Sequence, residues 1–315
     1  MERPIKVFLT YEEQIALLKQ RGLIIADDSA ARHYLEYFGY YALINGYKDL
    51  FLKRRQPEVF LPGYTIMDIV QLFLYDYNLR ESLQSVLFFV EKSVKSTISY
   101  TFSARYGENH HRFLNAVSFN ERPESTEKVA SLLNTYNGLI ARGCDNGDKT
   151  LLHYVNRHGY VPLWVLFTVA SFGNISVFYA NMKDREQDIV ARHYGVKASE
   201  LRSILYFLTR VRNACAHGRR IFTLVSEGQR PRTIPRMKLH DLLHISNENI
   251  AIKDILAVVI CCYYMLPCNS FDYFIHKLLH DLDSIKHAKF YSKVVNKTSL
   301  RTSLLKKILD LKRTA

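Results

Sequence analysis

Residues 65–105 read TIMDIVQLFLYDYNLRESLQSVLFFVEKSVKSTISYTFSAR, and this stretch decides the fold class. Ile69, Leu72, Phe73, Leu83, Val86, Leu87 and Val90 recur at helical spacing, the pattern of one long amphipathic helix. Asp76, Arg80 and Glu91 interrupt that face or flank it. Upstream, Thr10 and Glu13 make a capping-box pattern before Ile15, Leu17 and Leu18, and Gly22 stands where a helix would stop. Residues 34–47 are dense in aromatics and broken by Gly39 and Gly46. A compact aromatic corner is expected there, with Tyr37, Tyr40 and Tyr41 packed as core rather than stacked on bases. Residues 54–64, with Pro57, Pro62 and Gly63, read as a loop. Downstream, residues 109–126 and 142–149 read as polar connections, and helices are predicted over 162–182, 184–193 and 199–217. Residues 221–235 read as a short hairpin or an extended loop. Helices resume at 252–266, 271–287 and 299–313. The last carries Leu300, Leu304, Ile308 and Leu311 on one side and Arg301, Lys306, Lys312 and Arg313 on the other. No repeat, low-complexity tract or linker divides the chain, so a single all-α domain over residues 1–315 is expected.

The 315 residues include 43 Lys and Arg against 30 Asp and Glu, a formal charge of +13. A hydrophobic content of 48% excludes disorder for the chain as a whole, and 13 Gly with 8 Pro argue against a turn-rich all-β protein. The positive excess is local. Residues 201–240 hold nine basic groups against Glu227 alone, and residues 284–315 hold nine against Asp310 alone. Such fields attract polyanions, either nucleic acid or an anionic membrane surface. The basic helix at 299–313 is the segment that would lie on a membrane. No apolar signal core opens the chain, and the longest apolar run, residues 255–266, falls short of the roughly 18 residues of a membrane span. Cys144, Cys215, Cys261, Cys262 and Cys268 fit neither a disulfide framework nor a zinc pattern. The last three lie in or beside the apolar run and are expected as buried free thiols, in keeping with a reducing cytoplasm.

The helix ending near residue 217 places Leu201, Ile204, Leu205, Leu208, Val211 and Cys215 on a buried face. Its other face ends in Arg212-Asn213-Ala214-Cys215-Ala216-His217, followed by Gly218-Arg219-Arg220. Asn213 and His217 are four apart and share a face, so the amide can fix the tautomer that a proton-transferring imidazole requires. With Gly218 just past the helix end, His217 sits at the C-terminus, where the macrodipole favours positive charge. Arg212 is five residues back, roughly 140° around the helix. Arg212 and His217 of one chain therefore do not converge easily on one small ligand. With 23 Arg and 12 His in the chain, chance supplies about one Arg-x4-His match. A second copy does exist, from Arg105 to His110. Only the copy at 212–217 ends an amphipathic helix, has an i,i+4 amide and adjoins a basic cluster. The pair His110–His111 lacks further ligands at useful spacing, so no metal site is expected. Trp164, inside an apolar helix, reads as core.

These residues carry a resemblance. RNACAHGRR at 212–220 resembles the RN-x-x-AH-x-R signature of the Abi family of abortive-infection phage-resistance proteins, the AbiD/AbiF-like group, within the HEPN superfamily of helical ribonucleases. LTYEEQIALLKQRGL from Leu9, YFGYYALINGY from Tyr37, FLPGYTIMDIVQLFLYDYNLR from Phe60, Glu91 and PLWVLFTVASFGNIS from Pro162 agree with it in order. The resemblance covers about residues 5–222. Residues 241–315 match more loosely and read as a helical C-terminal extension, whose basic tail, 284–315, the motif does not explain.

The resemblance implies an all-α, HEPN-like helical bundle with additional helices, dimerising so that two Arg-x4-6-His motifs face each other. It implies a cytoplasmic, toxin-like antiviral endoribonuclease with no metal and no cofactor. In that chemistry a ribose 2′-OH attacks the adjacent phosphate and leaves a cyclic phosphate end. His217 would move the protons, and Arg212 would hold the phosphate and stabilise its developing charge. Asn213 would orient His217 or the phosphate, and Arg219 and Arg220 would bind neighbouring phosphates. Asp76, Arg80 and Glu91 either form a structural ion-pair network under the site or line it, the first being preferred. The alternative is an RNA-binding HEPN protein of latent or absent activity, assembled with a small structured non-coding RNA.

Overall fold

The computed structural model describes residues 7–223, 234–246, 251 and 253–314, and helices make up most of it. The chain opens with α1 (Tyr11–Gln20), where Thr10 and Glu13 make the reciprocal capping bonds, and α2 (Asp28–Phe38), capped by Asp27. An irregular turn over Tyr41–Asn45 leads to a hairpin of β1 (Leu52–Arg55) and β2 (Glu58–Phe60). Next comes α3 (Ile66–Tyr106), opened by a Thr65–Asp68 capping box. It is followed by α4 (His110–Phe113), α5 (Thr126–Asp145), α6 (Lys149–His158) and α7 (Leu163–Val169). Then come α8 (Phe172–Asn181), α9 (Asp184–His193) and α10 (Ala198–Ala216). The remainder holds α11 (Lys238–Leu242), α12 (Ile255–Met265), α13 (Cys268–Asp283), α14 (Tyr291–Thr298) and α15 (Thr302–Arg313).

The all-α reading holds, and α3 is the axis of the bundle. Leu72, Leu79, Leu83, Leu87, Val90 and Val94 are buried along it, against α7, α9, α10, α12 and α13. α12 is apolar on nearly every side, as a helix enclosed by others must be. α13 packs on both α3 and α15, so the C-terminal helices share the core built around α3. Leu305, Ile308 and Leu309 of α15 are buried there. The apolar stripe predicted for 299–313 is therefore covered by protein. Among the described residues no helix is long and apolar enough to cross a membrane.

Several expectations change. The stretch 54–64 is not wholly loop: Leu52 pairs with Phe60 and Arg55 with Glu58 in the hairpin, the only sheet among the described residues. The helix predicted over 162–182 is two, because Ser171 turns extended and caps α8 reciprocally with Asn174. Trp164 is 49% exposed, since it and Thr168, four residues on, form the outward face of α7. Tyr37 and Tyr41 are also exposed rather than core. Polar stretch 109–126 contains α4, and α5 runs to Asp145 into the second gap. The segment before α15 forms its own helix, α14. Cys261 and Cys262 are buried free thiols, but Cys268 is exposed at the first turn of α13. The hairpin or loop expected at 221–235 falls mostly on 224–233, outside the described residues.

Candidate active site

The motif lies at the end of α10, and the way that helix stops sets its geometry. Gly218 adopts φ +63°, a left-handed conformation that a residue with a Cβ rarely takes. Its N–H donates to the Cys215 carbonyl at 3.1 Å, and Arg219 N–H donates to the Ala214 carbonyl at 3.0 Å. These two bonds are the Schellman pair, with Gly218 just past the cap as the sequence requires. His217 is the cap residue, and its N–H donates to the Asn213 carbonyl at 3.0 Å. The His217 side chain is exposed, as are Asn213 and Arg219. Cys215, on the opposite face, is buried, and burial pushes its thiol up to about 12, so it stays protonated.

The chain beyond the motif is captured by a carboxylate from the middle of α3. Asp76 Oδ1 accepts from Ile221 N–H at 2.9 Å and Phe222 N–H at 2.6 Å. Its Oδ2 accepts from the Tyr47 hydroxyl at 2.7 Å and lies 3.4 Å from Arg80 Nη2. Burial pushes the Asp76 carboxyl up, opposed by its bonds from Tyr47 and Phe222, the Arg80 charge and the bond from Ile221. Arg80 Nη1 lies against Gly218, where an added Cβ would come within 3.4 Å of it, and Arg80 Nε is buried with no hydrogen-bond partner among the described residues. Arg220 reaches the same region from the other side. Its Nη1 donates to the Gly46 carbonyl at 2.7 Å and its Nε to Thr223 Oγ1 at 2.7 Å, while Asp49 lies 3.9 Å away. The aromatic corner, α3 and the end of α10 thus form one clamped unit.

Arg212 is held apart from this clamp. Its Nε lies 3.6 Å from Glu91 Oε2, and its Nη1 donates to Asn213 Oδ1 at 3.4 Å. Glu91 also pairs with Lys95 at 2.8 Å. The three residues expected as one network therefore divide: Asp76 and Arg80 tie down the turn after His217, and Glu91 orients Arg212. Asn213 serves Arg212 rather than the His217 ring. Arg220 is committed to the corner, leaving Arg219 and Arg210 as the exposed cations nearest the motif. Arg230 and Arg232 lie outside the described residues. In the other Arg-x4-His copy, His110 is only 8% exposed and its Nδ1 accepts from Val161 N–H at 2.9 Å. That imidazole is a buried acceptor.

Residues 33–223 match the family of Abi-like proteins, more than half of the chain. This chain belongs to that family. No curated protein and no solved structure matches it. The family match in this Abi-like protein begins within α2, so residues 9–23, α1 and its flanks, which contributed to the sequence resemblance, lie outside it. It ends at Thr223, directly after the backbone pair that Asp76 holds, and the helices from α11 onward also lie outside it. Nothing in the local sequence assigns a role to Tyr47 or to the Gly46 carbonyl, which bond Asp76 and Arg220.

Proposed function

We propose that this Abi-like protein acts in abortive-infection phage defence as an endoribonuclease of the HEPN type. The observation that supports this most is His217, accessible at the end of α10 on a turn pinned by Asp76 and Arg80, with Arg212 on the preceding turns. RNA cleavage by this route needs a base for the ribose 2′-OH as its oxygen attacks the neighbouring phosphorus. It also needs an acid for the departing 5′-oxygen and a cation for the charge that builds on the phosphate. His217 serves the proton transfers and Arg212 the charge, with Asn213 and Glu91 steadying Arg212 and Arg219 holding an adjacent phosphate. The products are a 2′,3′-cyclic phosphate and a 5′-hydroxyl. Within one chain Arg212 leans toward α3 while His217 faces outward, so the reading includes a homodimer that brings two motifs to one phosphate.

The test compares wild type with Arg212→Ala and His217→Ala on end-labelled RNA in EDTA. Wild type should produce cyclic-phosphate ends, and each variant should lose roughly 10²-fold or more in rate. Equal cleavage by all three, or none by the wild type under any infection trigger, overturns the proposal. A second reading, an RNA-binding protein assembled with a small structured RNA, draws on the tail. Lys297, Arg301, Lys306 and Lys307 are exposed there, with no ion-pair partner among the described residues. It expects steeply salt-dependent binding without cleavage, alike in wild type and His217→Ala.

A further inference from the structure

The aromatic corner presents its rings to solvent beside the motif. Tyr37 at the end of α2 is 76% exposed, Tyr41 just after it 79%, and Tyr77 on the outer face of α3 46%. The rings sit on ordered supports. Tyr37 stands edge-on to Phe38 with centroids 4.9 Å apart, and stacks at 6.5 Å on the exposed His33. Tyr77 is fixed at its hydroxyl by Glu81, within electrostatic reach of Tyr37, and the Arg80 guanidinium lies 5.9 Å from its ring centroid. The same Arg80 touches Gly218, the residue after His217. Tyr41 belongs to the corner whose Gly46 carbonyl Arg220 holds. Tyr37 and Tyr77 are therefore linked to the motif through Arg80, and Tyr41 through the backbone of the turn that Arg220 holds.

We propose that this surface binds single-stranded RNA, with unpaired bases stacked on Tyr37, Tyr41 and Tyr77 and a flanking phosphate on Arg219. The inference rests on the ribonuclease reading above and adds its substrate class: nucleotides beside the scissile phosphate must be unpaired. Every base has a face that can stack on an aromatic ring, so such a platform tolerates many sequences. A duplex keeps its bases inside and offers only backbone and groove edges, which leaves these rings unused. The surroundings favour RNA over a protein partner. Phe88 and Phe89 expose bare phenyl rings farther along α3, with Phe89 lining an apolar groove against α13. The tyrosines instead end in hydroxyls, Tyr77 lies against the Arg80 guanidinium, and the exposed Arg219 follows directly on the Gly218 that Arg80 touches.

The experiment measures Kd in the His217→Ala background, so that cleavage does not interfere, with a labelled single strand, its duplex and the same strand carrying abasic sites. Tyr37→Ala/Tyr77→Ala should bind the single strand roughly tenfold to hundredfold more weakly. The corresponding Phe substitutions should retain affinity, and the abasic strand should bind parent and Ala variant alike. Thermal melting checks that each variant is folded. An unchanged Kd, an equal loss with the abasic strand, or a preference for duplex overturns the proposal. So does lost self-association with unchanged RNA binding, which would assign the surface to a second copy. Should the wild type bind RNA and never cleave it, the ribonuclease reading falls while the tyrosine effect on Kd is still read out separately.

Discussion

Asp76 is the residue on which the candidate site most depends, and it works through position rather than chemistry. A carboxylate without solvent exposure receives two backbone N–H groups, a tyrosine hydroxyl and the Arg80 guanidinium. Removing it leaves all of those donors buried without an acceptor, and an unpaired buried donor costs more than its bond contributed. Asp76→Ala should therefore lose about 3 kcal/mol of stability in urea unfolding. Amide exchange at Ile221 and Phe222 should accelerate even where the rest stays protected. Asp76→Asn, which keeps the size and one acceptor, should lose less. A cost equal to that of an exposed carboxylate, well under about 1 kcal/mol, would show that the turn after His217 is held by something else.

At the scale of elements, α3 connects everything the site uses. It supplies Asp76, Arg80 and Glu91 from one buried to half-buried stripe turned toward the end of α10, and Tyr77 from its exposed side. Its start is fixed by Thr65, whose Oγ1 accepts from Asp68 N–H at 3.2 Å while its own N–H donates to Asp68 Oδ2 at 2.7 Å. Thr65→Ala should cost about 1 kcal/mol in global stability, measurable as a shift in the urea midpoint without a change in slope. A change in slope would mean that α3 frays separately. α10 ends as sharply as α3 begins, because Gly218 alone in its turn has the freedom to reverse the chain. Long helices were legible in the sequence because their periodicity persists over many turns. The break at Ser171 was not, since apolar residues recur at close spacing from Leu163 to Phe178 on both sides of a local side-chain cap.

For the molecule as a whole, acid is the expected weakness. His110 joins α4 to the chain entering α7 by accepting from Val161 N–H, and burial pulls its pKa down to about 4 from 6.5. The unfolded chain therefore binds a proton more readily between those values. Stability should be intact above pH 6.5, decline as pH falls through that window and level off below about 4, by on the order of 3 kcal/mol. The chain already carries +13 at pH 7, so added positive charge acts in the same direction. Unfolding free energy against pH checks this, and His110→Gln should flatten the curve; a wild-type curve flat from 7 to 4 would contradict it. At this scale the basic tail also resolves into parts. Lys293 and Lys312 are spent on backbone carbonyls and Arg313 on Asp272, which leaves a smaller free cluster than composition alone implied.

What the sequence determined by itself is local: the helices, the glycine that ends α10, the motif on that end and the two basic stretches. All of these are written in spacings of three to five residues or in composition over a short window. Tertiary structure alone decided which side chains are available. Asp76 meets Ile221 across 145 residues, Arg220 is drawn to Gly46 across 174, and one of two equivalent Arg-x4-His copies has its histidine buried as an acceptor. Tyr37 and Tyr41 are exposed rather than packed for the same reason. Whether a polar or aromatic side chain is spent or free depends on what other segments place beside it, and helical periodicity carries no record of that.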